Sequence, residues 1–318
     1  MNVLQRIGSS NGIKGSAFPI PSDLVIWEAA TSVNDTPTSD GDYFWHNPGG
    51  TGIRASLHYD EGAYSIETVS GRSYYKIYLD PDVPDAGAGL NNYRAEIERN
   101  VTNKPVGTIR LLGSGFMFPY ILNHGGELVI GQWKSGTAPG GPWPLNSPVI
   151  YLGLAYSGQT DQYADAAVSN ELVVVNKVVD FEGAGNGRTN TGIVIAAGTE
   201  YFMRQYIKGG TGVAGRYILQ LKVGRGGTWS TIYDELESTI WNEDDDGGSV
   251  SQVTPYWTTG MYAQNINTDA EVVSEKALNG GVYNITMYLL DKIKAADLLA
   301  ADPYYTSSTV IKSVDTSY

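Results

Sequence analysis

Three short segments set polar side chains at every second position, the spacing that gathers them on one face of a β-strand. In Tyr93-Arg94-Ala95-Glu96-Ile97-Glu98 that face carries Arg94, Glu96 and Glu98. In Gly131-Gln132-Trp133-Lys134 it carries Gln132 and Lys134. In Tyr256-Trp257-Thr258-Thr259-Gly260-Met261-Tyr262-Ala263-Gln264 it carries Tyr256, Thr258, Gly260, Tyr262 and Gln264. A planar guanidinium fork, an amide, an amine and a phenol can hold an anion and move a proton. Three strands offering an Arg, a Gln, a Lys and a Tyr imply a polar trough across a sheet, suited to an extended sugar chain.

A trough of this kind needs a scaffold of strands. Alternation and β-branched or aromatic content predict strands over residues 25–28, 54–59, 64–69, 74–79, 93–99, 108–116, 127–133, 149–155, 171–179, 193–197, 200–207, 216–223, 253–264 and 282–290. Gly, Asn, Asp or Pro clusters bound nearly all of them. Short strands at this spacing read as an all-β sandwich rather than alternating β/α units. One helix is expected over residues 291–301, with Ile293, Leu298 and Leu299 as its apolar stripe and Asp302-Pro303 as its stop. No internal repeat or linker divides the chain. Residues 1–24 read as an extended arm and 25–318 as one domain.

Bulk composition narrows the functional classes. The 318 residues are 42% hydrophobic, enough for a sizeable buried core. The 22 Tyr and 7 Trp suit strands and carbohydrate-facing surfaces. A formal charge of −13 argues against nucleic acid, because no basic stripe exists to displace phosphate counterions. An anionic polysaccharide would need a local positive patch inside this negative field. Without cysteine there is no disulfide framework and no thiolate chemistry. No apolar run is long enough for a membrane span, and residues 1–8 do not have the pattern of a signal peptide. The expected location is outside the cell or on a virus particle.

The three segments resemble the signature strands of the jelly-roll polysaccharide lyases, the alginate lyase and heparin/glucuronan lyase-like group. Alginate lyases of that group carry Arg-Ser/Thr-Glu-Leu-Arg, then Gln-Ile/Val-His, then Tyr-Phe-Lys-Ala-Gly-x-Tyr-x-Gln. The counterparts here are Arg94-Ala95-Glu96-Ile97-Glu98, Gln132-Trp133-Lys134 and Tyr256 to Gln264, in the same order and at similar separations. The sequence departs from the pattern at three places: Glu98 stands for the second Arg, Lys134 for the His and Thr258 for the Lys. The resemblance covers residues 43–290. It implies a single-domain β-jelly roll, a concanavalin A-like sandwich of two antiparallel sheets, here with a short C-terminal helix. It also implies an endo-acting lyase on a uronic-acid polymer, working without a cofactor.

Elimination on a uronate chain removes the C5 proton and expels the C4 oxygen. The neighbouring carboxylate must be neutralised first, and the resemblance gives that work to Arg94 and Gln132. Tyr262 is the favoured base and acid, its phenol activated by the field of Arg94 and Lys134. Lys134 is the alternative base, if its surroundings hold it neutral. Glu96, Tyr256, Gln264, His58 and Trp143 are the candidate substrate contacts.

Plainer readings fit the same residues. Arg94 with Glu96 or Glu98 is also a cross-strand charge pair, Gln132 and Lys134 an exposed edge, and Tyr256 and Tyr262 sandwich aromatics. A non-catalytic glycan-binding or structural module, displayed on a virion, is therefore the rival function. A glycoside hydrolase using Glu96 and Glu98 ranks third. His46 reads as a loop tip and His124 as a turn residue, and the three His give no metal spacing. The acidic run 242–248 reads as a solvated turn. Alternation turns Trp133 and Trp257 away from the face of Gln132 and Tyr262, leaving loop residue Trp143 as the stacking candidate.

Overall fold

The computed structural model describes residues 27–28, 43–45, 64–69, 72–82, 92–99, 106–120, 126–134, 148–156, 168–178, 187–241, 255–264, 266, 269–279, 285–289, 292–293 and 295–298. The arm over 1–24, the strand expected over 54–59, the acidic run 242–248, His46, His58, His124 and Trp143 lie outside the described residues. Glu96, Glu98 and Tyr256 are described in backbone only.

In chain order the strands are β1 (Trp27–Glu28), β2 (Tyr43–Trp45), β3 (Tyr64–Val69), β4 (Arg72–Leu79), β5 (Asn92–Arg99) and β6 (Ile109–Met117). Then come β7 (Leu128–Lys134), β8 (Pro148–Leu154), β9 (Glu171–Asn176), β10 (Arg188–Val194), β11 (Tyr201–Lys208) and β12 (Arg216–Val223). The last are β13 (Ser230–Glu235), β14 (Tyr256–Gln264), β15 (Ile285–Leu289), β16 (Lys292–Ile293) and β17 (Ala295–Leu298). A helix, α1 (Ala270–Leu278), lies between β14 and β15.

Two antiparallel sheets stack as a jelly-roll sandwich. One has seven strands in the order β10-β9-β8-β7-β14-β5-β2. The other has eight, β13-β12-β11-β6-β15-β4-β3 with β17 also paired to β6. Burial of apolar surface at roughly 25 cal/mol per Å² makes the space between them the stabilising centre. Leu128, Ile130, Trp133, Leu152, Leu154, Val174, Trp257 and Met261 fill it from the first sheet. Met203, Ile207, Tyr217, Leu219, Leu221 and Met287 fill it from the second.

A polar seam crosses this core. Gln205 is fully buried, and its Oε1 accepts hydrogen bonds from Trp133 Nε1 at 3.1 Å and the Tyr217 hydroxyl at 2.6 Å. Trp133 belongs to one sheet and Gln205 and Tyr217 to the other. A buried donor left unsatisfied costs about 1–3 kcal/mol, so this seam favours one sliding position of the two sheets over its neighbours.

The sequence expectation fails at the C-terminal side. The helix expected over 291–301 is replaced by β16 and β17, where Ala295 to Leu298 pair with Leu112 to Ile109 of β6. Three apolar residues make a weak helical stripe, and pairing to a buried strand outweighs it. The helix sits instead at Ala270–Leu278, started by the Asp269 carboxylate accepting from Val272 N at 3.2 Å.

Candidate functional site

β5, β14 and β7 are neighbours in the seven-stranded sheet, so the three segments singled out in the sequence lie side by side. Trp257 and Trp133 face the core, 2% and 1% exposed, with ring centres 5.2 Å apart. Their neighbours in sequence must then face outward. Gln132 reaches the outer face because β7 carries a bulge between Val129 and Gly131. Strict alternation from Leu128 and Ile130 would have turned Gln132 inward; the extra residue rephases the strand. Gly131 makes this possible at close quarters: a Cβ there would lie 2.2 Å from Trp257 Cζ2.

Register resolves the outer face into two cross-strand rows. The first runs Arg94, Tyr262, Val129, Gly153, Val173, Asn190, across β5, β14, β7, β8, β9 and β10. The second runs Glu98, Thr258, Gln132, Tyr151, Val175, Arg188 across the same strands. On β8 and β9 the rows stand two residues apart, about 7 Å. On β7 they stand three apart, and on β14 and β5 four, about 13 Å. The β7 bulge, followed by a second extra residue on β14 between Thr259 and Tyr262, makes the rows fan open. Between them on β14 lies Gly260, at φ 139°, paired with Glu96.

In the first row the structure brings three singled-out residues into contact. The Arg94 guanidinium stands over the Tyr262 ring, 4.8 Å from its centre. The Gln264 amide donates to the Tyr262 hydroxyl oxygen at 2.7 Å. A cation over the ring and an N–H on the oxygen both stabilise a phenolate over a phenol. Arg94 and Tyr262 are half-buried and Gln264 is exposed, so the pair is open to a ligand.

The remaining two do not join it. Gln132 pairs with Thr258 and Lys134 with Tyr256, four and six residues from Tyr262. Those are about 13 and 20 Å of strand. Gln132 is 3% exposed and Thr258 fully buried, whereas Lys134 is half-buried. Lys134 and Tyr262 share a face but not a point of reaction. In register Glu96 lies opposite Gly260 and Tyr256 opposite Lys134.

Sequence reading missed three residues of this face. Glu127 folds over Gly153 in the first row, its Oε1 2.3 Å from where a Cβ would stand, and Oε2 accepts from the Tyr151 hydroxyl at 3.3 Å. Tyr262 packs against the cluster of Val129, Tyr151, Val173 and Val175. Glu127 is thus a carboxylate two strands, about 10 Å, across from the Arg94–Tyr262 pair. Arg188 ends the second row, 6% exposed. The signal for Glu127 was its place two residues before Val129; nothing local marks Tyr151 or Arg188. Among the described residues no group of three or more metal-ligating side chains is found, and no helix is long and apolar enough to cross a membrane.

No family model matches the chain, and no curated protein matches it. Among solved structures it is similar to an endo-β-1,4-glucuronan lyase from the fungus Trichoderma reesei, at 12% identity and a TM-score of 0.44 over 79% of this chain and 94% of that one. It is similar to an alginate lyase from Alteromonas sp. 272 at 11% identity and a TM-score of 0.44, over 85% of this chain and all of that one. It is also similar to the catalytic domain of a glycoside hydrolase family 131 protein from Coprinopsis cinerea, at 9% identity and a TM-score of 0.45, over 80% and 83% of the two chains.

Proposed function

We propose that the protein is an endo-acting polysaccharide lyase that cleaves a uronic-acid polymer by β-elimination. The observation that carries this is the Arg94–Tyr262–Gln264 contact on an open sheet face. Arg94 neutralises the substrate carboxylate, so that the electron pair released at C5 can delocalise into it. The Tyr262 phenolate, held by Arg94 and Gln264, takes the C5 proton. The C4–O bond breaks, a C4=C5 double bond forms, and the new phenol returns its proton to the leaving oxygen on the same side of the ring. Lys134, at the end of β7 away from Tyr262, contacts a distant sugar of the bound chain rather than the reacting one.

A glycan-binding module without catalysis is the second reading. It is favoured by the burial of Gln132, 3% exposed, beside the fully buried Thr258, which withdraws the second motif's amide from a substrate carboxylate. One experiment separates the two. The protein is incubated with alginate, glucuronan and heparin while the ultraviolet absorbance of the unsaturated product is followed. A lyase gives rising absorbance, and Tyr262→Phe lowers the rate by roughly 10²–10⁴, the usual weight of a positioned acid–base group. Silence on every uronate polymer with retained binding refutes the lyase and leaves the module. Undiminished elimination by Tyr262→Phe removes the phenol from the mechanism.

A further inference from the structure

The outer face of the other sheet carries a concentration of positive charge that the trough does not use. Arg204 on β11, Lys222 on β12 and Arg225 in the turn after it gather around two aromatic rings. Arg204 Cζ stands 4.0 Å and Lys222 Nζ 5.2 Å from the centre of the Trp229 ring. Lys222 Nζ and Arg225 Cζ stand 4.7 and 5.5 Å from that of Phe202. Among the described residues the Glu200 carboxylate pairs with Arg225 Nε at 3.0 Å. Lys222 donates to a neutral acceptor, the Arg225 carbonyl, at 3.1 Å.

Such a cluster is costly as it stands. Burial lowers the pKa of Arg204 to about 10. Burial, then Arg204 and Arg225, lower that of Lys222. Three cations share two rings in a chain of net charge −13. Cation–π contacts offset a part of this cost and leave the mutual repulsion in place. An incoming anion would remove it. The β6 residues beside Phe202 and Arg204 are Gly115 and Gly113, so no side chain rises next to the rings on that edge.

We propose that Arg204, Lys222 and Trp229 form a second, non-catalytic site that holds the carboxylates of an anionic polysaccharide on the sheet opposite the trough. The choice of a uronate chain among anions rests on the function proposed above. The charge excess and the ring-lined surface rest on this patch alone. Two sites on opposite faces would keep the enzyme on a polymer between cleavages by raising its effective concentration there.

The test is calorimetric titration at low ionic strength with two probes, polymannuronate and polyglucuronate, and a neutral glucan as control. R204Q/K222Q is expected to weaken polyuronate binding roughly tenfold, the scale of two partly screened charge contacts. Glu200→Gln, which removes the local anion, is expected to tighten it. Both variants should fold and keep the wild-type elimination rate on short oligosaccharides, R204Q/K222Q melting no lower than the wild type because repulsion is relieved and Glu200→Gln melting lower because Arg225 loses its partner. The proposal is overturned if R204Q/K222Q binds as the wild type does, if Glu200→Gln fails to tighten binding, or if neither polyuronate binds. It is also overturned if the variants change only self-association in sedimentation. Elimination followed in the same samples reports the trough separately. Patch-dependent binding without elimination refutes the lyase alone, and elimination with patch-independent binding refutes this site alone.

Discussion

Glu237 gives the strongest test of how the two sheets are held together. It follows β13 and is half-buried; burial raises its carboxyl from the ordinary 4.5 to about 7, against hydrogen bonds from Tyr233 and Asn176 that lower it. The Tyr233 hydroxyl donates to Glu237 Oε1 at 2.8 Å, and the Tyr233 ring lies 5.6 Å from that of Tyr217. Tyr217 in turn shares Gln205 with Trp133, the residue between Gln132 and Lys134. A carboxyl whose proton is held more tightly in the folded chain than in the unfolded one stabilises the fold at low pH. That benefit is lost as pH rises from 4.5 to about 7 and does not change beyond. At about 1.4 kcal/mol per pH unit, the loss is on the order of 3 kcal/mol. The measurement is urea unfolding of wild type and Glu237→Gln at half-unit steps from pH 4 to 8. The amide keeps an acceptor for Tyr233 and cannot ionise. The two proteins should agree near pH 4 and separate through pH 7, with the variant the more stable. General repulsion in an acidic protein acts on both and cancels in the difference. Parallel curves across the range would refute the reasoning, because Glu237 would then have no preferential hold on its proton.

Two glycines of the sheet give further predictions. Gly131→Ala forces the Trp257 ring out of a 2.2 Å contact, and the expected overpacking cost of about 1–3 kcal/mol should appear as a lower urea midpoint at unchanged slope. Gly260→Ala puts a side chain into a φ 139° backbone, costing about 1–3 kcal/mol, and also fills the gap between the two rows. Its elimination rate should therefore fall further than that of Gly131→Ala at equal loss of stability; equal rates at equal stability would show that the gap holds no substrate.

Strand alternation made much of this legible. The strands over 64–69 and 216–223 have the expected ends, and Trp133 and Trp257 turn away from the face of Gln132 and Tyr262 as local alternation predicts. What escaped was non-local. β13 was missed because Ser230 to Glu235 is a short edge strand whose exposed positions carry no apolar alternation. β10 was expected over 193–197 but runs Arg188–Val194, because its polar residues pair with the valines of β9. The helix cap at Asp269 was visible as an Asp before Ala-Glu-Val-Val, yet a thin apolar stripe hid it. Residues of the site were readable by type. Their separations were not, because register and bulge decide which of two neighbouring strands' residues meet.

That separation bears on how the face would work. Had the rows run parallel, two residues apart throughout, Gln132 would stand about 7 Å and Lys134 about 13 Å along the strand from the level of Tyr262. The fan puts Lys134 opposite Tyr256 instead, about 20 Å along the strand from the phenol. On the proposed mechanism the phenol then draws on Arg94 and Gln264, and a cation at the far end contributes only to a chain long enough to reach it. The three departures from the lyase pattern, Glu98, Lys134 and Thr258, all lie toward the second row and away from Tyr262. On that mechanism, substitution there would alter what the face holds at a distance and leave Tyr262 with Arg94 over its ring and the Gln264 amide on its oxygen.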